Sequence, residues 1–356
     1  MSVSGLPRTV AVLGGGAMGS ALVPSLRRAN LRVVAAWSRS PHPGQWRSGP
    51  LPRALREAEL IFIAVADAAV AEVCAQLAAE RLLMPGQVVA HLAGTLPLSV
   101  LDPALEAGAR TGSLHPLRAV VLNGPPDALK GATASIAGSD ETARSVLAAV
   151  AHALGLSPLV VDDRRRALYH AAAVLAGGGQ VALFAEAVRA FQMATGAEEP
   201  EARAALLPLS LGALNALFGR HPAAALTGPV PRGDAETVAA HRAALRAADP
   251  ALLPLYDALA TASLRLAREG QRASDEALAR VAAALGGSVP PAPAALPVPA
   301  PSIPSPARAP APATRSSTPR RPKPTSERPA ASSRSSAPRG RPRAPRPRVP
   351  APRKRR

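Results

Sequence analysis

The stretch Thr9-Val-Ala-Val-Leu-Gly-Gly-Gly-Ala-Met-Gly19 decides the fold of this 356-residue chain. Its first half is an apolar run of strand length, and the apolar residues after Gly19 recur at helical spacing. Between them, Gly14, Gly16 and Gly19 match the pattern G-x-G-x-x-G, which holds the pyrophosphate of a dinucleotide where a strand turns into a helix. A second apolar run, residues 31–37, stands where the next strand of a βαβ unit belongs. We therefore expect a dinucleotide-binding domain at this end of the chain.

Each glycine of the pattern has a physical role. Gly14 permits the tight turn, Gly16 lets the backbone approach a pyrophosphate, and Gly19 lets the helix pack close to the strand. The helix N-terminus then offers free N–H groups and the positive end of its dipole to the phosphates. The predicted cofactor contacts are these glycines together with neighbouring positions of the turn and of the end of a later strand: Ala17, Met18, Val65 and Ala66.

The end of the second strand distinguishes the two nicotinamide cofactors. An acidic residue there hydrogen-bonds the ribose 2′-hydroxyl of NAD, whereas an arginine accommodates the 2′-phosphate of NADP. This chain has Ser38, Arg39 and Ser40 at that point, and its next carboxylate is Glu57. One guanidinium between two hydroxyls suits a phosphate. The sequence therefore predicts NADP (NADPH) rather than NAD; a merely solvated Arg39 is the alternative.

The composition excludes several classes of protein. The single cysteine, Cys74, forms neither a disulfide framework nor a thiolate metal site within one chain, and no cluster of His, Asp and Glu has metal-ligand spacing. We recognise no charge-free apolar stretch of about 18 residues, and so expect no membrane-spanning helix. The N-terminus lacks the pattern of a signal peptide. We expect a soluble, cytoplasmic protein with no metal and no membrane partner.

The net charge of +18 is concentrated in residues 286–356. This segment holds 16 of the 42 Lys and Arg residues, one of the 24 acidic residues and 20 of the 40 prolines, and it has no aromatic residue. Because too little apolar surface remains to offset the entropy of ordering such a chain, we expect a disordered tail, partly in polyproline II conformation. The tail is either a solubilising appendage or an attachment to nucleic acid or another polyanion.

The remaining residues divide into a sheet domain and a helical domain. Strand-length apolar runs alternate with helical patterns in residues 1–162, which indicates an α/β, Rossmann-like, doubly wound parallel sheet. Residues 163–285 show alanine and leucine at helical spacing and no strand pattern, which indicates an all-α domain with a substrate cleft at the junction. At that junction, residues 162–166 are a charge run, which we interpret as solvated surface. The predicted helices span residues 165–194 (interrupted at residues 177–179), 200–218, 234–247 and 250–269.

The chain contains, in order, AVLGGGAMGSAL, ELIFIAVAD, HLAGTLP, GSLHPL, LYHAAAVLA and LTGPVPRGDAETVAAH, between about residue 8 and residue 270. In this order they resemble a bacterial family that joins a Rossmann-like domain to a C-terminal helical domain of unknown function, number 2520, near the pyrroline-5-carboxylate reductase and 6-phosphogluconate dehydrogenase group. The first two stretches are shared by many NADP-dependent reductases, whereas SLHPL, YHAAA and TGPVPRGD are specific to the family. The resemblance implies an NADP-binding, oxidoreductase-like homodimer formed through the helical domain, and it supplies no substrate.

The chain departs from the pattern of that family at two places. The family has Ser where this chain has Ala93, and Ser-Asn where this chain has Gly177 and Gly178. A hydroxyl and an amide that would orient a substrate are therefore missing. The resemblance thus implies that the cofactor binds, but it does not guarantee turnover.

Four polar rings fall where a substrate is expected. His91 and His115 end predicted strands, at the edge where open α/β sheets bind ligands. His115 is a candidate to exchange a proton during hydride transfer and His91 to bind substrate, or each caps a strand end. Tyr169 and His170 open the helical domain; Tyr169 is a candidate proton donor and His170 a candidate carboxylate ligand, or both pack within the helix.

The loop at residues 227–234 is predicted to be tight and ordered. Asp234 suits the N-cap of the helix that begins at Ala235. Arg232 either holds a substrate carboxylate as a bidentate pair or contacts Asp234 and stiffens the turn.

Two hypotheses follow. The first is an NADP-dependent oxidoreductase that transfers a hydride between NADPH and a small carbonyl or imine, a small acid if Arg232 is its anchor. The second is a non-catalytic NADP-binding sensor or scaffold whose basic tail binds a polyanion. A dedicated nucleic-acid-binding protein is disfavoured, because outside the tail the chain has little excess charge.

Overall fold

Seven strands form one sheet in the computed structural model, which describes residues 5–287 apart from residues 45, 123 and 126. They lie in the order 2-1-3-4-5-6-7, and the first five are parallel. The order reverses between the first and third strands, which is where open α/β sheets bind ligands beyond the carboxyl ends of their strands. The strands are β1 (Thr9–Leu13), β2 (Arg32–Trp37), β3 (Leu60–Ile63), β4 (Val88–His91), β5 (Arg110–Pro116), β6 (Thr133–Gly138) and β7 (Ser157–Val160).

The pair β5–β6 departs from the parallel arrangement, because its strands are antiparallel, while β6 and β7 are parallel to each other. The described part of the connection between β5 and β6 contains turns but no crossover helix, which fits a reversal of direction. The register places His91 beside Ser113 and His115 opposite Ser135. Since paired side chains, and those two apart on a strand, point to the same face, these four residues share one face of the sheet.

Helices cover both faces of the sheet: α1 (Ala17–Arg28), α2 (Val70–Ala79), α3 (Asp102–Glu106) and α4 (Glu141–Ala153). One hydrophobic core includes Leu22 of α1 and Val150 of α4, and the other includes Leu77 of α2 and Ala104 of α3. Cys74 is fully buried in the second core. A helical layer on each face of a mostly parallel sheet confirms the predicted doubly wound, Rossmann-like fold.

The rest of the described chain is helical, and residues 161–287 contain no strand, as predicted. A core around Val238, Leu264 and Val281 joins the ninth, tenth and eleventh helices. The helices are α5 (Arg166–Ala176), α6 (Gly178–Thr195), α7 (Glu199–Asn215), α8 (Pro222–Ala225), α9 (Ala235–Ala248), α10 (Leu253–Glu269) and α11 (Asp275–Ala284).

The predicted interruption of the first long helix is confirmed. The non-helical backbone angles of Gly177 end α5, and α6 begins at the next residue. Helix α11 has no counterpart among the predicted helices. The division at residues 162 and 163 stays a prediction, since the described residues all lie in one compact unit. The predicted tail, residues 286–356, lies outside the described residues except for Gly286 and Gly287.

Helices α5, α6 and α7 leave much of their apolar surface exposed. Each has one buried residue, namely Arg166, Val188 and Ala202. The stretch Asp163–Thr195 is long and apolar enough to cross a membrane, and only 6% of its most apolar window is buried. The expectation that no such stretch exists is therefore wrong: residues 167–185 contain no Asp, Glu, Lys or Arg.

Candidate cofactor and active site

Gly14 has a backbone conformation that favours glycine. Its φ is +117°, and its N–H donates to the carbonyl oxygen of Trp37 at the end of β2. A Cβ on Gly14 would lie 2.4 Å from the carbonyl oxygen of Ala64, and a Cβ on Gly19 would lie 1.8 Å from that of Gly14. The turn therefore requires glycine at both positions, because the residue after β3 lies against Gly14 and the first turn of α1 packs against the end of β1.

Gly16 leaves the N-terminus of α1 open. It is the N-cap, no side chain caps the helix, and no atom lies within 4 Å of where its Cβ would stand. The first backbone N–H groups of α1 therefore face a space that an anion can enter, and the helix dipole favours negative charge there. Ala17 and Met18 begin this helix; their role as cofactor contacts stays a prediction.

A cavity of about 450 Å³ lies beside the glycine turn. It brings together predicted cofactor contacts that are far apart in the sequence. Two polar residues of α2, Glu72 and Gln76, line the same cavity, and the sequence analysis missed them. Their i, i+4 spacing after a strand was the available signal, since such positions share one helix face. The predicted contacts that line the cavity are Gly14, Gly16, Ser38, Arg39, Ser40, Val65 and Ala66.

The residues of this cavity fit a dinucleotide. The open helix N-terminus suits a pyrophosphate, and the glycine turn provides the close backbone approach that it needs. Ser38, Arg39 and Ser40 line the wall where a ribose 2′-phosphate is expected, and no acidic residue ends β2. A carboxylate does line the cavity, that of Glu72, but it lies on α2 and not at the end of β2.

The loop after β2 folds back over the glycine turn. A Cβ on Gly15 would lie 2.8 Å from the His42 ring, and one on Gly19 would lie 3.2 Å from the Trp46 ring. The ring centroids of His42 and Trp46 are 5.4 Å apart. These two rings close one side of the turn and were not among the predicted site residues.

A second cluster lies at the carboxyl end of β5. Nδ1 of His115 and the hydroxyl oxygen of Tyr169 are 3.1 Å apart, and their rings meet edge to face. The ring centroid of His170 lies 5.7 Å from that of His115. All three residues line a groove of about 890 Å³. The structure therefore brings together three predicted active-site residues: His115, the candidate proton donor Tyr169 and the candidate carboxylate ligand His170.

The groove is mostly apolar, with one arginine in its wall. Arg118, in the loop after β5, lines it together with alanine and valine side chains of α5. Arg118 was not among the predicted site residues, because it belongs to no recognisable motif. Gly177 and Gly178 also line the groove, so no side chain enters it from these two positions.

Gly94 lets two histidines approach the end of β4. A Cβ here would lie 2.2 Å from Cδ2 of His170 and 3.1 Å from Cε1 and Nε2 of His115. Ala93 beside it is buried. The site therefore requires glycine at position 94, a requirement that appears only once the helical residues are in place.

A buried polar layer packs beside this cluster. His91 is 0% exposed, and neither of its ring nitrogens has a hydrogen-bond partner among the described residues. In the same part of the chain, Oγ of Ser135 and Nη1 of Arg166 are also buried without a partner. The interpretation of residues 162–166 as solvated is wrong for Arg166, because its side chain turns inward between β5 and α5 and donates to Oγ of Ser113.

The two sheet-edge histidines are neutral at pH 7. Burial, and then the charge of Arg166, lowers the pKa of His91 to about 4. Burial, and then the charges of His170 and Arg166, lowers the pKa of His115 to about 4. Burial raises the pKa of the Tyr169 phenol, while nearby Ser135 and Arg166 act in the opposite direction. The proton of the His115–Tyr169 pair therefore resides on Tyr169 at neutral pH.

Two predicted substrate ligands do not line the groove. His91 is buried, and Arg232 is exposed on the short 3₁₀ turn Val230–Arg232, which contacts α10 and α11. Asp234 caps α9 as predicted, since Oδ1 accepts from the backbone N–H of Thr237 at 3.0 Å. The role of Arg232 as a carboxylate ligand stays a prediction. Within the described ranges, no group of three His, Cys, Asp or Glu residues is placed to hold a metal ion.

Two family models match the chain. A Rossmann-like domain matches residues 6–116, and a domain of unknown function, DUF2520, matches residues 132–263. The second match begins at β6, so it includes β6, α4 and β7 as well as helices of the C-terminal part. No curated protein matches the chain significantly.

Solved structures share the fold at low sequence identity. A Bacteroides fragilis protein, provisionally described as an NADP oxidoreductase, is 22% identical with a TM-score of 0.59, over 72% of this chain and 97% of that chain. A Thermotoga maritima protein is 22% identical with a TM-score of 0.56, over 74% and 99%. Plasmodium falciparum pyrroline carboxylate reductase, solved with NADP bound, is 12% identical with a TM-score of 0.50, over 77% and 98%.

The chain therefore carries a match to a Rossmann-like domain followed by a match to DUF2520, and the second match spans the end of the sheet and most of the helices.

Proposed function

We propose that the protein is an NADP-dependent oxidoreductase that transfers a hydride between NADPH and a small carbonyl or imine substrate. One observation carries the proposal: the glycine turn after β1 and the His115–Tyr169 pair at the end of β5 lie at the same carboxyl edge of one sheet. The bound cofactor supplies the hydride, and the remaining work falls to residues of this chain.

Tyr169 is the proton donor of this reaction. Its hydroxyl lines the groove, it keeps its proton at neutral pH, and it lies 3.1 Å from Nδ1 of His115. A neutral His115 orients the phenol through this hydrogen bond without competing as an acid. Gly94 keeps the rings of His115 and His170 in place, because any larger residue would displace them.

The substrate is a small acid, and Arg118 is its anchor. The groove walls offer apolar surface to a short carbon chain, and the guanidinium of Arg118 offers a bidentate contact to a carboxylate. This assignment replaces Arg232 as the first choice, since Arg232 does not line the groove within one chain.

The cofactor preference rests on Arg39. Replacing Arg39 with alanine removes the cation beside the expected 2′-phosphate, so we expect the affinity for NADPH to fall about tenfold or more, while the affinity for NADH changes little. Fluorescence titration of purified protein with each nucleotide measures both. Arg53→Ala is the matched control, because Arg53 is exposed and does not line the cavity. An equal loss for the two nucleotides would overturn the 2′-phosphate assignment.

Turnover is tested by following NADPH oxidation with a panel of small 2-keto acids and cyclic imines. We expect activity on at least one of them, with Tyr169→Phe losing about a hundredfold or more in kcat. The same variant should bind NADPH as tightly as the parent. If the protein does not bind NADPH, the proposed function is wrong.

A non-catalytic NADP-binding protein is the second candidate. It is favoured by the glycines at positions 177 and 178, which leave that end of the groove without polar side chains. NADPH binding without turnover on the whole panel would support this candidate against the first.

We also propose that the protein is a homodimer through α5, α6 and α7. The apolar side chains exposed on α6 and α7, such as Val181 and Leu209, would be removed from water if a partner surface covered them. These helices adjoin the groove, since Val174 and Ala176 of α5 line it. A second copy of the chain offers the same apolar surface, as a two-fold interface requires.

A further inference from the structure

Arg166 is the charged residue most deeply buried in the described part of the chain. It is 1% exposed, and burying a guanidinium is costly unless it is paired. Nε donates to Oδ1 of Asp163 at 2.5 Å, and Nη2 donates to Oγ of Ser113. Nη1 is buried and has no partner among the described residues. The guanidinium is thus held in place by two partners, while its Nη1 stays unpaired among the described residues.

The position of Arg166 links it to the two elements that carry the proton donor. Tyr169 and His170 follow at i+3 and i+4 on α5, so the three side chains share one helix face. Ser113, which accepts from Arg166, stands two residues before His115 on β5 and points to the same face. Arg166 therefore contacts the strand of His115 and begins the helix of Tyr169.

We propose that Arg166 is a positioning residue whose buried charge stabilises the phenolate that Tyr169 leaves when it donates its proton. The inference rests on the proposed function for the identity of the acceptor. In that step the O–H bond of Tyr169 breaks, and its proton bonds to the substrate oxygen or nitrogen, which takes the electron pair of the C=O or C=N π bond. The incoming hydride supplies the pair for the new C–H bond. Water in the open groove then returns a proton to the phenolate.

Arg166 is the charged group that lowers the pKa of the Tyr169 phenol, next to the contributions of burial and of Ser135. His115 faces the phenol from β5 and Ser135 from β6, whereas His170, the next residue on α5, meets the His115 ring. His115 is neutral at pH 7 because its pKa is about 4, and the same holds for His91 on β4.

Asp163 offsets Arg166 only in part, because water screens the aspartate and not the arginine. The Asp163 side chain is 41% exposed, whereas that of Arg166 is 2% exposed. Arg166 also lowers the pKa of Tyr169 against the larger effect of burial. A buried cation beside a phenol is the arrangement that makes its ionised form accessible.

The two tyrosines of the chain allow a direct test in the absence of cofactor and substrate. In a Tyr256→Phe background, Tyr169 is the only tyrosine, so the rise in tyrosinate absorbance with pH reports on it alone. Tyr256 lies on α10 beside His241 and outside the groove, so this background should keep the parent activity.

We expect Arg166→Gln to move the Tyr169 titration to higher pH, and Arg166→Lys, which keeps a charge, to move it less. We expect kcat to fall about tenfold or more in Arg166→Gln, with NADPH affinity unchanged. A merely structural arginine would alter thermal unfolding but leave the Tyr169 titration where it is. An unmoved titration in folded Arg166→Gln would overturn the inference.

Asp163→Asn is the second variant, in case Arg166→Gln does not fold. It removes the partly screened negative charge and keeps the arginine, so Tyr169 should titrate at lower pH than in the background protein. A shift to higher pH, or none, would count against the inference. Because the titration needs no cofactor, a shift without turnover would contradict the proposed function only, and turnover without a shift would contradict the role of Arg166 only.

Discussion

His115 and His91 make the stability of the protein depend on pH. Burial lowers the pKa of each to about 4 in the folded chain, whereas the unfolded chain titrates them near about 6.5. Between these values the unfolded state binds more protons than the folded state, so stability rises with pH across this window and is lost as the pH falls from about 6.5 to 4.

We predict that His115→Gln reduces this pH dependence. The free energy of unfolding in urea should fall less between pH 7 and pH 4.5 in the variant than in the parent, by about 2 kcal/mol. His152→Gln is the control, since His152 is exposed near the end of α4. If the parent and His115→Gln lose the same stability, His115 is not held neutral by its surroundings.

Gly94 matters because it has no side chain. In Gly94→Ala, the new Cβ would lie 2.2 Å from the His170 ring, so that ring and the His115 ring must move. We expect turnover to fall about a hundredfold, because misplacing a catalytic group by about 1 Å has an effect of this size, while NADPH affinity stays near the parent value. Gly212→Ala on α7 is the control, since no atom lies within 4 Å of its Cβ position. Undiminished turnover in Gly94→Ala would show that the two histidines do not need this contact.

Helices, strands and turns are predictable from the sequence where their structure depends on residues close to them in the chain. The unit β1–turn–α1 is predictable because the contacts that demand Gly14 and Gly19 lie within the unit or at the end of an adjacent strand. The antiparallel β5–β6 pair is not, because its direction depends on a connection that has no helical or strand pattern. Arg166 was misinterpreted for the same reason: its partner Ser113 is 53 residues away, and a run of charges alone does not show which one turns inward.

The helices α6 and α7 carry a prediction about assembly. Leu209 on α7 is 70% exposed, and a charge there would be buried without a partner in a dimer formed through this surface. We expect the parent to sediment as a dimer and Leu209→Glu as a monomer with unchanged helicity. Leu105→Glu on α3 is the control, since Leu105 is also exposed but lies on the sheet domain.

The membrane alternative gives a different result in the same protein. If the stretch Asp163–Thr195 inserted into a bilayer, the parent would co-sediment with neutral lipid vesicles. We expect it to stay in the supernatant, because the apolar faces of two chains bury each other in the dimer and need no lipid. A monomeric parent in sedimentation, or a parent bound to vesicles, would contradict the homodimer.

At the scale of the whole molecule, most of the net charge lies in the tail, residues 286–356, and little in the rest of the chain. With residues 286–356 set aside, the 26 remaining basic residues nearly balance 23 acidic ones. Among the described residues, the cavity beside the glycine turn and the groove at Tyr169 are built from residues 14–178. We expect the tail to act on partners or on solubility rather than on the chemistry of the site.

We predict that ending the chain at Gly286 leaves thermal unfolding and NADPH affinity unchanged and removes binding to nucleic acid. The full chain should bind double-stranded DNA at low salt, with an affinity that falls steeply as salt is raised, because its Lys and Arg residues displace counterions from phosphates. Fluorescence anisotropy with labelled DNA measures this, and inorganic polyphosphate as competitor distinguishes a general polyanion site from one for nucleic acid. Equal DNA binding by the truncated chain would move the site to the folded part. A full chain that does not bind at low salt would leave the tail as a solubilising appendage.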